Sequence, residues 1–141
     1  MATFLFKTEP GDYSFADLLR EKRCVWSGVA NAAALGHLRT AAAGDEVLIY
    51  HTGDEKAIVG LAAVAKGAYE DPAQPGRNDK GQPKFAVVDL KPVRAAKTPV
   101  TLGAIKGDAR FAAFPLVTQG RLSVMPVPPA LDKAIRAMAG L

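Results

Sequence analysis

Residues 44–64, GDEVLIYHTGDEKAIVGLAAV, constrain the fold more than any other stretch of the chain. Gly44 and Asp45 turn the backbone into EVLIYH, where Val47, Ile49 and Tyr50 favour a strand. Thr52, Gly53 and Asp54 turn it again, and residues 57–64 return as a second strand. Together they read as two strands of a small barrel. Gly60 lies inside the second, where a glycine marks a bulge, a bend or a close backbone approach.

The rest of the chain fits around this pair. Residues 4–7, FLFK, read as a first strand closed by the turn Glu9-Pro10-Gly11-Asp12. Ser14 with Asp17 approximates a capping box for a helix that ends near Lys22. Asn31 opens a second, Ala-rich helix over 32–40. Residues 70–84 hold Pro, Gly and charge without apolar periodicity, which predicts a long mobile loop. Residues 85–93 read as a strand with Pro92 near its end. Thr101 caps a short helix, a second short helix covers 108–114, and 116–127 reads as the last strand. Pro128 and Pro129 open a terminal helix that Gly140 ends. Strands and helices neither alternate strictly nor segregate. The expected class is α+β, a mixed or antiparallel barrel with helices packed around it. A length of 141 residues sets one domain, 1–141.

Composition narrows the function. No apolar run is long enough to span a bilayer and no export signal is recognisable, so a cytoplasmic location and no membrane partner are expected. The single cysteine, Cys24, excludes an internal disulfide and a Cys-based zinc cluster. Its neighbours Lys22 and Arg23 carry charges that lower a thiol pKa, but burial is the commoner role of a free Cys. There is no P-loop, dinucleotide fingerprint, HExxH or GxSxG. No metal, cofactor or catalytic set is expected. Charge is uneven: residues 1–70 carry seven Lys/Arg against nine Asp/Glu, and residues 71–141 carry eleven against five. A basic half suits a polyanion such as nucleic acid, although a solvated basic face fits it equally well.

The remaining polar and aromatic residues suit binding. Lys7, Thr8 and Glu9 follow the first strand, and Tyr50 and His51 end another. Trp26, the only tryptophan, and Asn31 flank a Gly-containing turn. An indole face with a side-chain amide suits a flat heterocycle. A core Trp and a helix-capping Asn are the alternative. Gln119, Arg121 and Ser123 alternate along the expected last strand and so share a face there. Each residue also has an ordinary structural role open to it.

Taken in order, FLFKTEPGDYSFADL, WSGVAN at 26–31, GDEVLIYHTGDEKAIVGLAAV, YEDP at 69–72, FAVVDLKPVR at 85–94 and FPLVTQGRLSVMPV at 114–127 resemble the EVE domain family of the PUA-like superfamily. The resemblance covers residues 4–127. It implies a PUA-like mixed barrel of about five to six strands that reads 5-methylcytosine or 5-hydroxymethylcytosine in DNA by base flipping, without catalysis. The implied ligand-binding residues are Lys7, Thr8, Glu9, Trp26, Gly28, Val29, Asn31, Tyr50, His51, Gln119, Arg121 and Ser123. A monomer with no cofactor and a nucleic-acid partner is expected. Phe4 stands where the family pattern has Trp, which keeps an aromatic face. Ala30 stands where it has Arg, which removes a donor for phosphate or base. Two other readings remain: an RNA-binding PUA or ASCH-like module, and a small hydrolase using Lys7, Glu9 or His51 in the same cleft.

Overall fold

In the computed structural model, which describes residues 1–141, strand β1 (Thr3–Thr8) lies between two segments distant in sequence. One of them lies parallel to it, and a parallel partner needs a crossover. The crossover holds helix α1 (Phe15–Glu21), strand β2 (Cys24–Trp26) and helix α2 (Ala32–Leu38). It delivers the chain to β3 (Glu46–His51), parallel to β1, with Phe4 opposite Val47 and Thr8 opposite His51. Next come β4 (Ala57–Glu70), β5 (Ala86–Thr101), α3 (Leu102–Lys106), a 3-10 turn (Ala109–Phe111), α4 (Pro115–Thr118), β6 (Val124–Pro126) and α5 (Pro129–Ala139). The six strands order as β2-β5-β4-β3-β1-β6, a mixed sheet open between β2 and β6. Helix α2 packs on β5 and β6, on either side of that opening. The result is the expected α+β open barrel with helices around it. No helix is long and apolar enough to cross a membrane.

Local chemistry explains the elements. The Ser14 hydroxyl accepts from Asp17 N while Asp17 accepts from Ser14 N, a complete capping box, and Lys22 closes α1 in the left-handed region. Asn31 Oδ1 accepts from Ala34 N at 3.0 Å and starts α2. Thr101 caps α3, and Gly140 ends α5 with φ 69. Gly60 combines a bulge with a close approach. The β3–β4 and β4–β5 registers both shift beside it. A Cβ there would lie 2.5 Å from the Phe15 ring, so α1 could not seat on the sheet.

Four expectations change. Cys24–Trp26, not expected as a strand, pairs with β5, Trp26 opposite Val88. Strands β4 and β5 are longer than anticipated, and Pro92 lies inside β5, opposite Ala62. The register shifts between Leu61 and Ala62, and that irregularity accommodates a residue with no N–H. The strand expected over 116–127 shrinks to β6. Pro115 presets the first helical turn, Phe114 O accepts from Val117 N, and α4 ends at Gln119. Gln119, Arg121 and Ser123 therefore do not alternate along a strand. Finally, the 70–84 segment folds on itself. Arg77 and Pro83 form a bridge, and Asn78 Oδ1 accepts from Lys80 N and Gln82 N. Arg39 donates to Pro83 O and Lys84 O.

Candidate functional site

A cleft of about 370 Å³ opens where β1 ends and β2 meets the following turn. It is lined by Lys7, Thr8, Glu9, Asp12, Tyr13, Cys24, Val25, Trp26, Ser27, Gly28, Val29 and Ser123. Strand pairing assembles it: Lys7 N donates to Ser123 O at 2.9 Å and pins the segment before β6 beside the end of β1. Strand β2 supplies the opposite wall. Sequence-distant segments converge because the open sheet brings its two edges to one end.

Trp26 is 8% exposed and belongs to the core as well as to the cleft. Its ring lies 5.6 Å from Phe6 and 6.1 Å from Tyr13, edge to face with the latter. Only a small part of the indole is exposed, so Trp26 packs as a core residue while it borders the cleft. Tyr13 is the second aromatic wall. Its hydroxyl donates to Glu21 at 2.9 Å. Burial first, then Cys24 and the Glu21 carboxylate, push the phenol far above its usual range, so it stays a neutral donor.

The polar side of the cleft comes from the end of β1. Lys7 Nζ donates to Gly120 O at 3.0 Å and lies 5.8 Å from the Tyr50 ring centroid. Burial lowers its pKa. Thr8 Oγ1 donates to Tyr13 O at 2.6 Å, which leaves its lone pairs for a ligand. Glu9 is exposed and accepts from Gly11 N and Thr52 Oγ1. Gly53, with φ 75, permits this: a Cβ there would sit 2.9 Å from Glu9 Oε2. Burial pushes the Cys24 thiol up rather than down. Arg23 is spent on Asp89 at 2.8 Å, so it does not activate that thiol.

The structure gathers Lys7, Thr8, Glu9, Trp26, Gly28, Val29 and Ser123 in this cleft. It disperses the others. Asn31, Gln119 and Arg121 line a neighbouring groove of about 300 Å³ with Ala33, Gly120 and Leu122. Arg121 is exposed there. Tyr50 is buried and borders a third groove beneath Lys7. His51 is buried in the fold: Nε2 accepts from Phe15 N at 3.0 Å, and Nδ1 lies 2.6 Å from Glu55. Ala30 is exposed outside the cleft. Sequence reasoning missed Asp12, Tyr13, Cys24, Val25 and Ser27. The first two were within reach, since they continue the turn that follows Glu9. The β2 residues were not, because nothing marked that strand.

The EVE domain profile matches residues 2–138. Thymocyte nuclear protein 1 of Rattus norvegicus is 30% identical over 88% of this chain and 67% of its own length. The Gallus gallus protein of that name is 31% identical over 73% of the chain and 51% of its own length. The chain thus spans about two thirds and half of these two relatives. Human THYN1 protein, solved in complex with 5-methylcytosine containing DNA, superposes with TM-score 0.89 at 25% identity, covering 100% of this chain and 99% of that one. An ASCH structure from Zymomonas mobilis has TM-score 0.62 at 13% identity over 97% and 95%, a likeness of PUA-like fold alone.

Proposed function

The chain belongs to the EVE domain family, and from that premise we propose that it is a non-catalytic nucleic-acid-binding module whose Trp26 cleft receives a modified cytosine flipped out of its strand. One observation carries the reading. A cleft of about 370 Å³ places an aromatic wall, Trp26 and Tyr13, opposite the polar groups Lys7, Thr8, Glu9 and Ser123. That volume sits near the small end of ligand sites and suits one planar group with a few directional contacts.

The chemistry matches a cytosine edge. An acidic side chain accepts from the cytosine N4 amino group. Glu9 and Asp12 are the acidic residues of the cleft. Lys7, Thr8 and Ser123 supply donors and acceptors for N3 and O2. Val25 and Val29 offer methyl groups for a 5-substituent. Flipping costs a few kcal/mol. An open aromatic face returns about 1–3 kcal/mol per stacked base. Trp26 is only 8% exposed, so its share falls toward the low end and polar contacts must make up the rest. The DNA-bound human relative supports DNA as the nucleic acid. His51 is held by Phe15 and Glu55 away from the cleft, and no observation favours the hydrolase reading.

The single tryptophan makes the test direct, because all tryptophan emission comes from one residue that borders the cleft. The protein is titrated with 2′-deoxycytidine, 5-methyl-2′-deoxycytidine and 5-hydroxymethyl-2′-deoxycytidine, then with matched DNA and RNA strands. The expected result is a change in Trp26 emission with tighter binding of a 5-substituted cytosine. Equal binding of all nucleosides with unchanged emission overturns the reading. Preference for RNA strands transfers it to the RNA-binding alternative.

A further inference from the structure

The groove that Tyr50 borders, of about 210 Å³, adjoins the Trp26 cleft and shares Lys7 with it. Its lining is Lys7, Tyr50, Thr52, Gly53, Lys56, Leu102, Lys106, Leu116, Val117 and Gly120. Three of these are lysines and none is acidic. The ion pairs of the fold engage Arg20, Arg23, His51, Arg77, Arg110 and Arg136, and leave Lys56 and Lys106 free. Of the nearby acids, Asp54 is exposed in the β3–β4 turn outside the lining, and the other two are engaged. Glu55 is held at His51, and Glu9 bonds Thr52 from the side of the cleft. Lys7 stands between the two spaces, its Nζ on Gly120 O.

The geometry points to this groove as the seat of the phosphodiester backbone flanking the base in the Trp26 cleft, with Lys56 and Lys106 as the phosphate contacts. The inference rests on the base-reading role of that cleft and adds the path of the strand. A strand is the occupant because the groove and the cleft share Lys7 as a common wall, so a nucleotide in one sets its neighbouring phosphate beside the other. Ammonium groups act as point charges on phosphate and carry no base information. The floor, Leu102, Leu116 and Val117, gives the sugar an apolar surface. Lys56 adopts φ 46, a left-handed conformation that aims a non-glycine residue from the β3–β4 turn. Its carbonyl accepts from Leu102 N at 2.8 Å and ties that turn to α3, which carries Lys106. The two lysines are thereby held on one rigid joint.

The test separates backbone from base. A Lys56→Asn/Lys106→Gln double variant keeps a residue tolerant of the left-handed region at position 56. Lys133→Gln, an exposed α5 position outside the groove, is the charge control. Each protein is titrated with 5-methyl-2′-deoxycytidine and with a short strand carrying one central 5-methylcytosine, at several salt concentrations. The double variant is expected to bind the nucleoside as wild type does and the strand about tenfold more weakly at low salt. Its log–log salt slope becomes shallower by about 1.4 for a single strand, as two lost phosphate contacts require. Lys133→Gln leaves the slope unchanged. Unchanged strand affinity and slope in the double variant overturn the groove while the base reading stands. A wild type without preference for the modified nucleoside overturns the reading of the cleft, and the groove's part in it, whatever the lysine variants do. Circular dichroism and a thermal midpoint verify that the double variant is folded.

Discussion

The two ends of β1 carry similar residues and use them in opposite ways. At its start, Thr3 Oγ1 donates to Asp132 Oδ2 at 2.9 Å, and Arg136 spans Asp132 at 2.8 Å and Glu46 at 3.0 Å. This network welds α5 to β1 and β3. Burial opposes the Arg136 charge, but Asp132 and Glu46 outweigh it and hold the guanidinium above its ordinary pKa. At the other end, Lys7, Thr8 and Glu9 face a cleft. Their partners there are chiefly backbone groups and one threonine. Charge closed on itself stabilises the fold; charge left facing a cavity is available to a ligand. The pair of ends predicts that mutations at the first change stability without changing binding, and that polar mutations at the second do the reverse.

Trp26 breaks that division, because it belongs to both regions, and it gives the largest effect. Trp26→Ala is expected to lose about 3–5 kcal/mol of stability, the usual cost of emptying a core aromatic site. Urea unfolding measures it. Lost base binding in that variant is therefore not evidence of a lost stack, and Trp26→Phe, which keeps an aromatic volume, is the cleaner probe. A loss under 1 kcal/mol for Trp26→Ala would show that the indole is not a core residue.

Arg136→Ala comes next. Removing the guanidinium leaves Asp132 and Glu46, both mostly buried, without their cation. A loss of about 1.5–3 kcal/mol follows from hydrogen bonds to charged groups. Nucleoside affinity is expected to match wild type, and a parallel loss of binding would dissolve the contrast between the two ends.

Glu9→Gln and Ser123→Ala sharpen the open end. Each is expected to weaken the modified nucleoside by about tenfold, the scale of one polar contact at about 1.4 kcal/mol, with stability within about 0.5 kcal/mol of wild type. Calorimetric titration beside a thermal melt distinguishes this from a folding defect.

The smallest effect is a pH dependence. Burial lowers the Lys7 pKa, so the ammonium is lost below the ordinary lysine range. Its donation to the bound base is complete below the lowered value and fades as pH rises through it. Strand affinity is expected to fall a few-fold in that alkaline window, and Lys7→Arg, which stays charged, to remove the fall. A wild-type profile that stays flat, or that Lys7→Arg leaves unaltered, would free Lys7 of that role.

Sequence patterns made much of this legible where the cause is local. Ser14 with Asp17, Asn31, Thr101 and Gly140 each cap a helix through atoms within a few residues, and each stands where expected. Gly60 stands out in the sequence as a glycine inside a strand, but the Phe15 ring that requires it comes only from the fold. Strand β2 escaped notice because three residues show no period, and it exists only by pairing with β5. The run from Gln119 to Ser123 has residue types that suit a strand, whereas Pro115 and the bonds to Phe114 and Pro115 carbonyls make a helix and a turn.

Residue order alone determined the family pattern, the caps and turns, the central strand pair and the end of β1 as a polar cluster, since all depend on neighbours along the chain. The tertiary structure alone decided which of the candidates meet. It set Trp26 against Phe6 and Tyr13, carried Ser123 to Lys7, and sent Asn31, Gln119 and Arg121 to a separate groove. It also locked His51 between Phe15 and Glu55 and opened the lysine groove at Lys56 and Lys106. The physical reason is that a cleft forms between segments far apart in sequence. The packing of an open sheet brings such segments together, and no local period records it.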